Sequence, residues 1–233
     1  MTEVETRVID TNVAIGLTLK RHTHHEKSWE YIVEQSGTVY LPPTAGDEFD
    51  DLKPDIEGKM QNQLSKHQGE ALAKYGGKEK LTRDDLRDIK QNFIDDSWDV
   101  AKYLRKYYDK LISDFEVKPE RIEFDLGDMV NGVGDDPCSE YGGWQNVVDR
   151  WTRGVDPYPT LKSNLLIYEG DDPDICVEAH HIATIQGGET ELGSADGDFL
   201  DHKENEDEPR PRRDDIIDQT ALCDVIDLRP DDR

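Results

Sequence analysis

Cysteine is scarce here and has no partner at close spacing: the chain holds only Cys138, Cys176 and Cys223, with no CxxC pair. That excludes a thiolate zinc framework and a small disulfide scaffold, and it fits a reducing compartment. Long apolar runs are missing too, and none approaches the ~18 residues of a membrane-spanning helix. The opening "MTEVETRVIDTN" lacks the basic-then-apolar pattern of a secretory signal. A cytoplasmic protein that does not enter a membrane is therefore expected. Positive charge is short as well, with 28 Lys+Arg against 53 Asp+Glu and a formal net charge of −25 in 233 residues. In dilute salt that balance disfavours a polyanionic partner. At ~1 M salt the Debye length shrinks to about 3 Å and the objection lapses.

What is present points to a folded molecule. Acidic disordered chains are poor in aromatics, whereas this one carries 4 Trp and 9 Tyr. An acid-coated, salt-adapted globule fits better. The length suits one large domain, or one domain with an insertion.

The start "RVIDTNV" reads as a short β-branched strand ending on Asp10, followed by a helix. "HTHHEKSWEYIVEQSG" reads as a helix stopped at Gly37, and "TVYLPPT" as a second strand. "AGDEFDDL" has acids suited to the first turn of a helix. From about Lys53 the composition changes: residues 53–121 hold 15 Lys+Arg and 14 Asp+Glu, net +1, so the remaining positions carry 13 and 39, net −26. Within that stretch Thr82 is an expected N-cap. Leu86, Ile89, Phe93, Val100, Leu104, Tyr107 and Leu111 follow at helical spacing, as one long helix or two in series. "DICVEAHHIATIQGG" is a further helix, "ETELGSADGDF" a strand running into an acidic motif, and "CDVIDLRP" a last strand. "LDHKENEDEPRPRRDD" reads as an exposed loop. This alternation predicts an α/β fold, Rossmann-like, with a mainly parallel sheet flanked by helices.

The pieces "VIDTNV", "GDEFDDL", "DPDICVEAHHIA" and "LGSADGDF" each offer a carboxylate at a strand end or a helix start. In this order they resemble a PIN domain, a family of metal-dependent nucleases on a Rossmann-like sheet. The resemblance covers about residues 5–52 and 165–228. Residues 53–164 depart from it and are expected to be a helical and loop insertion within a single domain, 1–233. Residue by residue, the resemblance implies catalytic and metal-binding roles for Asp10, Glu48, Asp174 and Asp196, with Asp198 as a further metal ligand. Asn12 and Ser194 become supports of the site. The implied cofactor is Mg²⁺ or Mn²⁺, and the implied activity is endonucleolytic cleavage of RNA, leaving a 5′-phosphate and a 3′-hydroxyl.

The acidic background weighs against reading too much into any one carboxylate. With 53 acids in 233 positions, a given site is acidic with chance about 0.23, and four specified sites match by luck at roughly 0.3%. Asp47, Asp50, Asp51 and Asp201 are read as surface coat. The chemistry still has a reason. Convergent carboxylates repel by about 1 kcal/mol per pair at ~4 Å in water, and more when buried. A hard dication relieves that with oxygen ligands.

Lesser candidates are the metal-ligand types of His22, His24, His25 and Glu26, the pair His180–His181, and the basic "PRPRR". Asp10-Thr11-Asn12 lacks the second aspartate of a DxDxT phosphatase motif. "YLRKYYDK" mixes Lys102, Arg105, Lys106 and Lys110 with Tyr103, Tyr107 and Tyr108, a composition able to hold phosphates and stack bases. Other roles for the insert are covering the sheet edge, pairing with a second copy as a homodimer, or binding a partner protein; a toxin-type nuclease controlled by an antitoxin is a further option for the chain. The alternative to a nuclease is a non-catalytic PIN-like module that binds RNA or protein.

Overall fold

A computed structural model of the chain describes residues 4–114, 117–165, 172–200 and 212–230. The fold divides into two compact units. A sheet unit takes residues up to Thr18, His24–Asp51 and the chain from Pro137, and a helical unit takes Leu19–Thr23 and Leu52–Asp136.

In the sheet unit, β1 (Thr6–Ile9) leads into α1 (Thr11–Thr18) and α2 (His25–Ile32). β2 (Thr38–Leu41) follows, and then α3 (Pro43–Tyr75), whose residues beyond Asp51 belong to the helical unit. Short 3-10 turns at Ser139–Tyr141 and Trp144–Asn146 precede β3 (Asp149–Arg150). Past α4 (Arg83–Asn92), α5 (Ala101–Ser113) and α6 (Pro119–Asn131) of the helical unit, the chain adds α7 (Pro159–Leu165), α8 (Asp172–Gln186), β4 (Thr190–Ser194), α9 (Gly197–Leu200), α10 (Arg212–Gln219) and β5 (Asp224–Asp227). The five strands form one sheet in the order β3-β2-β1-β4-β5. Every pairing is parallel, with Val8 opposite Tyr40 on one side and Leu192 on the other.

Burial explains the strand sequences. Central β1 is buried along its whole length, so it reads as a continuous run, whereas β2 and the outer β5 alternate. Arg7 is the exception inside β1, at 4% exposure. Its register partner is Glu191, its guanidinium lies 5.3 Å from the Tyr31 ring centre, and the Tyr31 hydroxyl donates to Glu191 at 3.1 Å. Gly193, opposite Ile9, is required by packing, because a Cβ there would sit 2.5 Å from Tyr31.

The helical unit contains α4 (Arg83–Asn92), α5 (Ala101–Ser113) and α6 (Pro119–Asn131) besides the rest of α3. Thr82 and Asp85 make a reciprocal capping box at the start of α4. The expected long helix is two in series. Asp95 accepts from the backbone and hydroxyl of Ser97 at 2.9 and 2.7 Å, a local turn that competes with helix continuation. The buried residues of this unit include Met60, Leu64, Leu86, Ile89, Leu104 and Tyr108, together with a fully buried His67. The His67 ring bonds the Phe93 carbonyl and the Tyr108 hydroxyl, each at 2.9 Å, so Nδ1 donates to the former and Nε2 accepts from the latter. Burial holds this histidine below its usual pKa and keeps it uncharged.

The helical unit ends at Asp136, and the chain from Pro137 belongs to the sheet unit. Asp149–Arg150 pair with Tyr40–Leu41 and bring that stretch into the sheet. A two-residue strand carries no periodicity to read.

One stability prediction follows from α3. At Gly58 an added Cβ would meet nothing within 4 Å, and glycine inside a helix costs about 1 kcal/mol relative to alanine. Gly58→Ala is expected to stabilise the helical unit by about that amount, seen as a higher urea midpoint at unchanged m.

Candidate active site

Beyond β1 the chain proceeds to β2 on one side of the sheet, and beyond β4 to β5 on the other. The crevice between the tips of β1 and β4 is therefore the point where strand order reverses, the usual ligand position in open α/β sheets.

Asp10 sits at that point, 2% exposed. Its amide continues the ladder by donating to the Gly193 carbonyl at 3.1 Å. Its Oδ1 accepts from the Val13 amide at 2.8 Å, which caps α1. Its Oδ2 accepts from the Ser194 hydroxyl and from the Ala195 amide at 3.2 Å. Burial pushes the carboxyl up to about 6, and the nearby charge of Asp196 adds to that, while the bonds from Ser194, Val13 and Ala195 pull it down.

Ser194 links the two aspartates. It donates to Asp10, and its Oγ accepts from the Asp196 amide at 3.0 Å. Asn12, in the first turn of α1, donates to Asp196 Oδ2 at 3.2 Å. Thr11 donates its hydroxyl to Glu48 Oε2, which docks the start of α3 against the start of α1. Asp10, Ser194, Asp196 and Asn12 are thus joined by one set of hydrogen bonds, whereas Glu48 is tied only to Thr11, the residue after Asp10.

Asp174 stands in a second group. At the start of α8 its carboxylate accepts from the Lys162 ammonium, an ion pair with both side chains partly exposed. One turn further, Glu178 receives the Thr44 amide at 2.9 Å and the Thr44 hydroxyl at 2.8 Å, closing the N-terminus of α3. Burial raises the Glu178 pKa, and the charges of Asp174 and Asp47 raise it further. Glu178 escaped the sequence reading. Its signal was the four-residue spacing from Asp174, which puts both acids on one face of α8.

The side chain of Asp198 lies outside the described residues, as does Asp201. Asp50 is held bidentately by Arg150, whose guanidinium also lies over the Phe49 and Trp144 rings at 5.8 and 5.4 Å. His180 Nδ1 accepts from the Ala221 amide at 2.9 Å, and His181 lies 3.2 Å from the Tyr158 hydroxyl. Among the described residues no three or more His, Cys, Asp or Glu side chains are grouped so as to hold a metal ion, the "HTHHE" stretch included.

The donor chemistry of the Asp10 group nevertheless suits a hard cation. Its ligand atoms are all oxygens, and Asp10 is a buried carboxylate whose bonded partners are a hydroxyl and amides rather than a cation. Mg²⁺ is commonly held by one or two carboxylates, with waters and phosphate oxygens completing its shell. Asp10 and Asp196 match that requirement without a preformed cage. Compared with protein-family models, curated proteins and solved structures, the chain finds no match in any of the three.

Proposed function

We propose that the sheet unit is a PIN-like, Mg²⁺- or Mn²⁺-dependent endoribonuclease. The observation that supports this most is the buried Asp10 bound through Ser194 to Asp196 at the strand-order reversal. In this reading Asp10 and Asp196 hold the cation, Glu48, held by the Thr11 hydroxyl, supports the site, and Asp174 flanks the substrate path. A bound dication would polarise the scissile phosphate and lower the pKa of an attacking water. Ser194 and the Val13 and Ala195 amides fix the Asp10 oxygens, and Asn12 fixes Asp196, so neither carboxylate has to reorganise during reaction. Lys162 offsets the charge of Asp174, which reduces the repulsion that a phosphate meets on approach. Screening by high salt completes that relief, in keeping with the net −25 of the chain.

The test is cleavage of single-stranded and structured RNA at high salt with Mn²⁺, for the wild type and for Asp196→Asn. Activity that needs Mn²⁺ and is lost in the variant supports the reading; undiminished activity in the variant removes it.

A second reading has its own observation. Glu48 is bonded by Thr11, Asp174 is paired with Lys162, and the described acids form no three-donor group. These favour a non-catalytic PIN-like module that binds RNA or a protein. Mn²⁺ titration separates the two, since the module would take up the ion no more tightly than its acidic surface does.

A further inference from the structure

A cleft of about 350 Å³ lies in the helical unit between α5, α6 and Arg21. One face is built from Tyr103, Tyr107 and Lys110, at helical spacing on α5. The Arg21 guanidinium lies 5.9 Å from the Tyr103 ring centre, and its Nη1 donates to the Gly132 carbonyl. Those contacts hold the guanidinium in place, and its Nε is buried with no hydrogen-bond partner among the described residues. Lys110 is exposed and has no ion pair among the described residues. Arg121 supplies a third cation from α6, with its Nη1 donating to Asp114 at 2.7 Å, so it is the cation most fully met by acids already.

The acids of the cleft are accounted for differently. Asp125 accepts from the Tyr107 hydroxyl at 3.0 Å and lies 3.6 Å from Arg121 Nε, so its charge is largely met inside the wall. Asp128 is exposed and opposes an incoming anion. The lining sums to three cations and two acids, in a chain whose overall charge is −25.

Planar aromatics beside fixed cations suit a ligand that carries both phosphates and flat rings. We propose that this cleft binds single-stranded RNA, with phosphates on Arg21, Lys110 and Arg121 and a base against Tyr103. The sequence motif "YLRKYYDK" is thereby only partly used. Tyr108 is core, fully buried and bonded to His67, and Arg105 is paired with Asp96. Tyr103, Tyr107 and Lys110 remain, and Arg21 and Arg121 join them from elsewhere in the chain. The inference stands on this cleft alone and does not need the sheet unit to cleave RNA.

The experiment is anisotropy of a labelled oligouridylate against the full chain in EDTA, over a range of salt. Binding is expected, with log K falling against log salt by about 0.7 per phosphate contacted, or roughly 2 for three contacts. Lys110→Glu, a surface change, is expected to weaken binding about tenfold and to flatten that slope by about one unit. Tyr103→Leu is expected to weaken binding about tenfold with the slope retained. Asp128→Asn is expected to tighten binding several-fold. Competition by uridine monophosphate only at far higher concentration supports a strand as the ligand; competition at matching concentration overturns it in favour of a free nucleotide. Equal affinity and slope in wild type and Lys110→Glu, or no binding by the wild type, would overturn the proposal. Because EDTA removes cleavage, an inactive sheet unit cannot be mistaken for failure of this cleft.

Discussion

Asp10→Asn is expected to lower RNA cleavage about a thousandfold and, in the same protein, to remove a pH-dependent destabilisation. The loss of activity follows from the role proposed for this carboxylate, since losing one preorganised charge-stabilising group costs about 10²–10³ or more in rate. The stability effect follows from linkage. The folded pKa, about 6, lies above the ordinary 3.8. Below 3.8 both folded and unfolded chains carry the proton, and the group costs nothing. Between 3.8 and about 6 the unfolded chain ionises first, so stability falls as pH rises. Above about 6 the full difference of roughly 2 units is lost, about 3 kcal/mol at 1.36 kcal/mol per unit. Asparagine has no such titration. The variant leaves the Ala195 amide facing an NH₂ group, an offset of about 1–3 kcal/mol that does not depend on pH. The expected observable is therefore the stability of Asp10→Asn minus that of wild type, which should grow by roughly 2 kcal/mol from pH 4 to pH 7. A constant difference across that range would contradict the burial argument.

Phe199→Ala should give the largest loss of stability. Phe199 is 1% exposed, one of the largest fully buried side chains of the molecule. It lies on α9, which packs on α10 and β5 and begins directly after Asp196. Truncating a buried phenylalanine costs about 3–5 kcal/mol through lost transfer energy and the cavity left behind. For a chain of this length that lowers the melting temperature of the sheet unit by roughly 10 °C. Phe199→Leu, closer in volume, should cost under about 2 kcal/mol. Activity should fall with the alanine variant even well below its melting point, because α9 anchors the segment that carries Asp196. A melting temperature within a degree or two of wild type would contradict the packing described.

Some elements were legible because a local rule matched the tertiary result. "RVI" is β-branched and lies in a strand buried on both faces, and Asp10 follows it at the strand tip. Thr82 announced a cap and makes one. Ser194 ends β4 and Asp196 follows it, and their hydrogen bonds to Asp10 and Asn12 bring together positions far apart in the chain. Other features had no local trace. β3 is two residues long and exists only because β2 offers an edge. Pro54 suggests a helix break, since it removes an amide donor, yet it lies within the continuous α3. Glu178 was hidden among 53 acids, and only the position of Thr44 across from α8 reveals what it does. The pairing of Lys162 with Asp174 was hidden likewise, because α7 precedes α8 with no motif to couple them. Tyr107 fitted the apolar stripe by spacing, but Tyr108 is the one in the core, because His67 on α3 supplies a partner for its hydroxyl.

The central claim is that carboxylates at the tips of β1 and β4 direct hydrolysis of an RNA phosphodiester with a divalent cation. Its most direct measurement is end-group analysis of RNA incubated at high salt with wild type and Asp196→Asn, with Mn²⁺ and with EDTA. Fragments ending in 5′-phosphate and 3′-hydroxyl, made only by wild type and only with Mn²⁺, are the expected result. Intact RNA in every arm, or the same fragments from Asp196→Asn or in EDTA, would contradict the account.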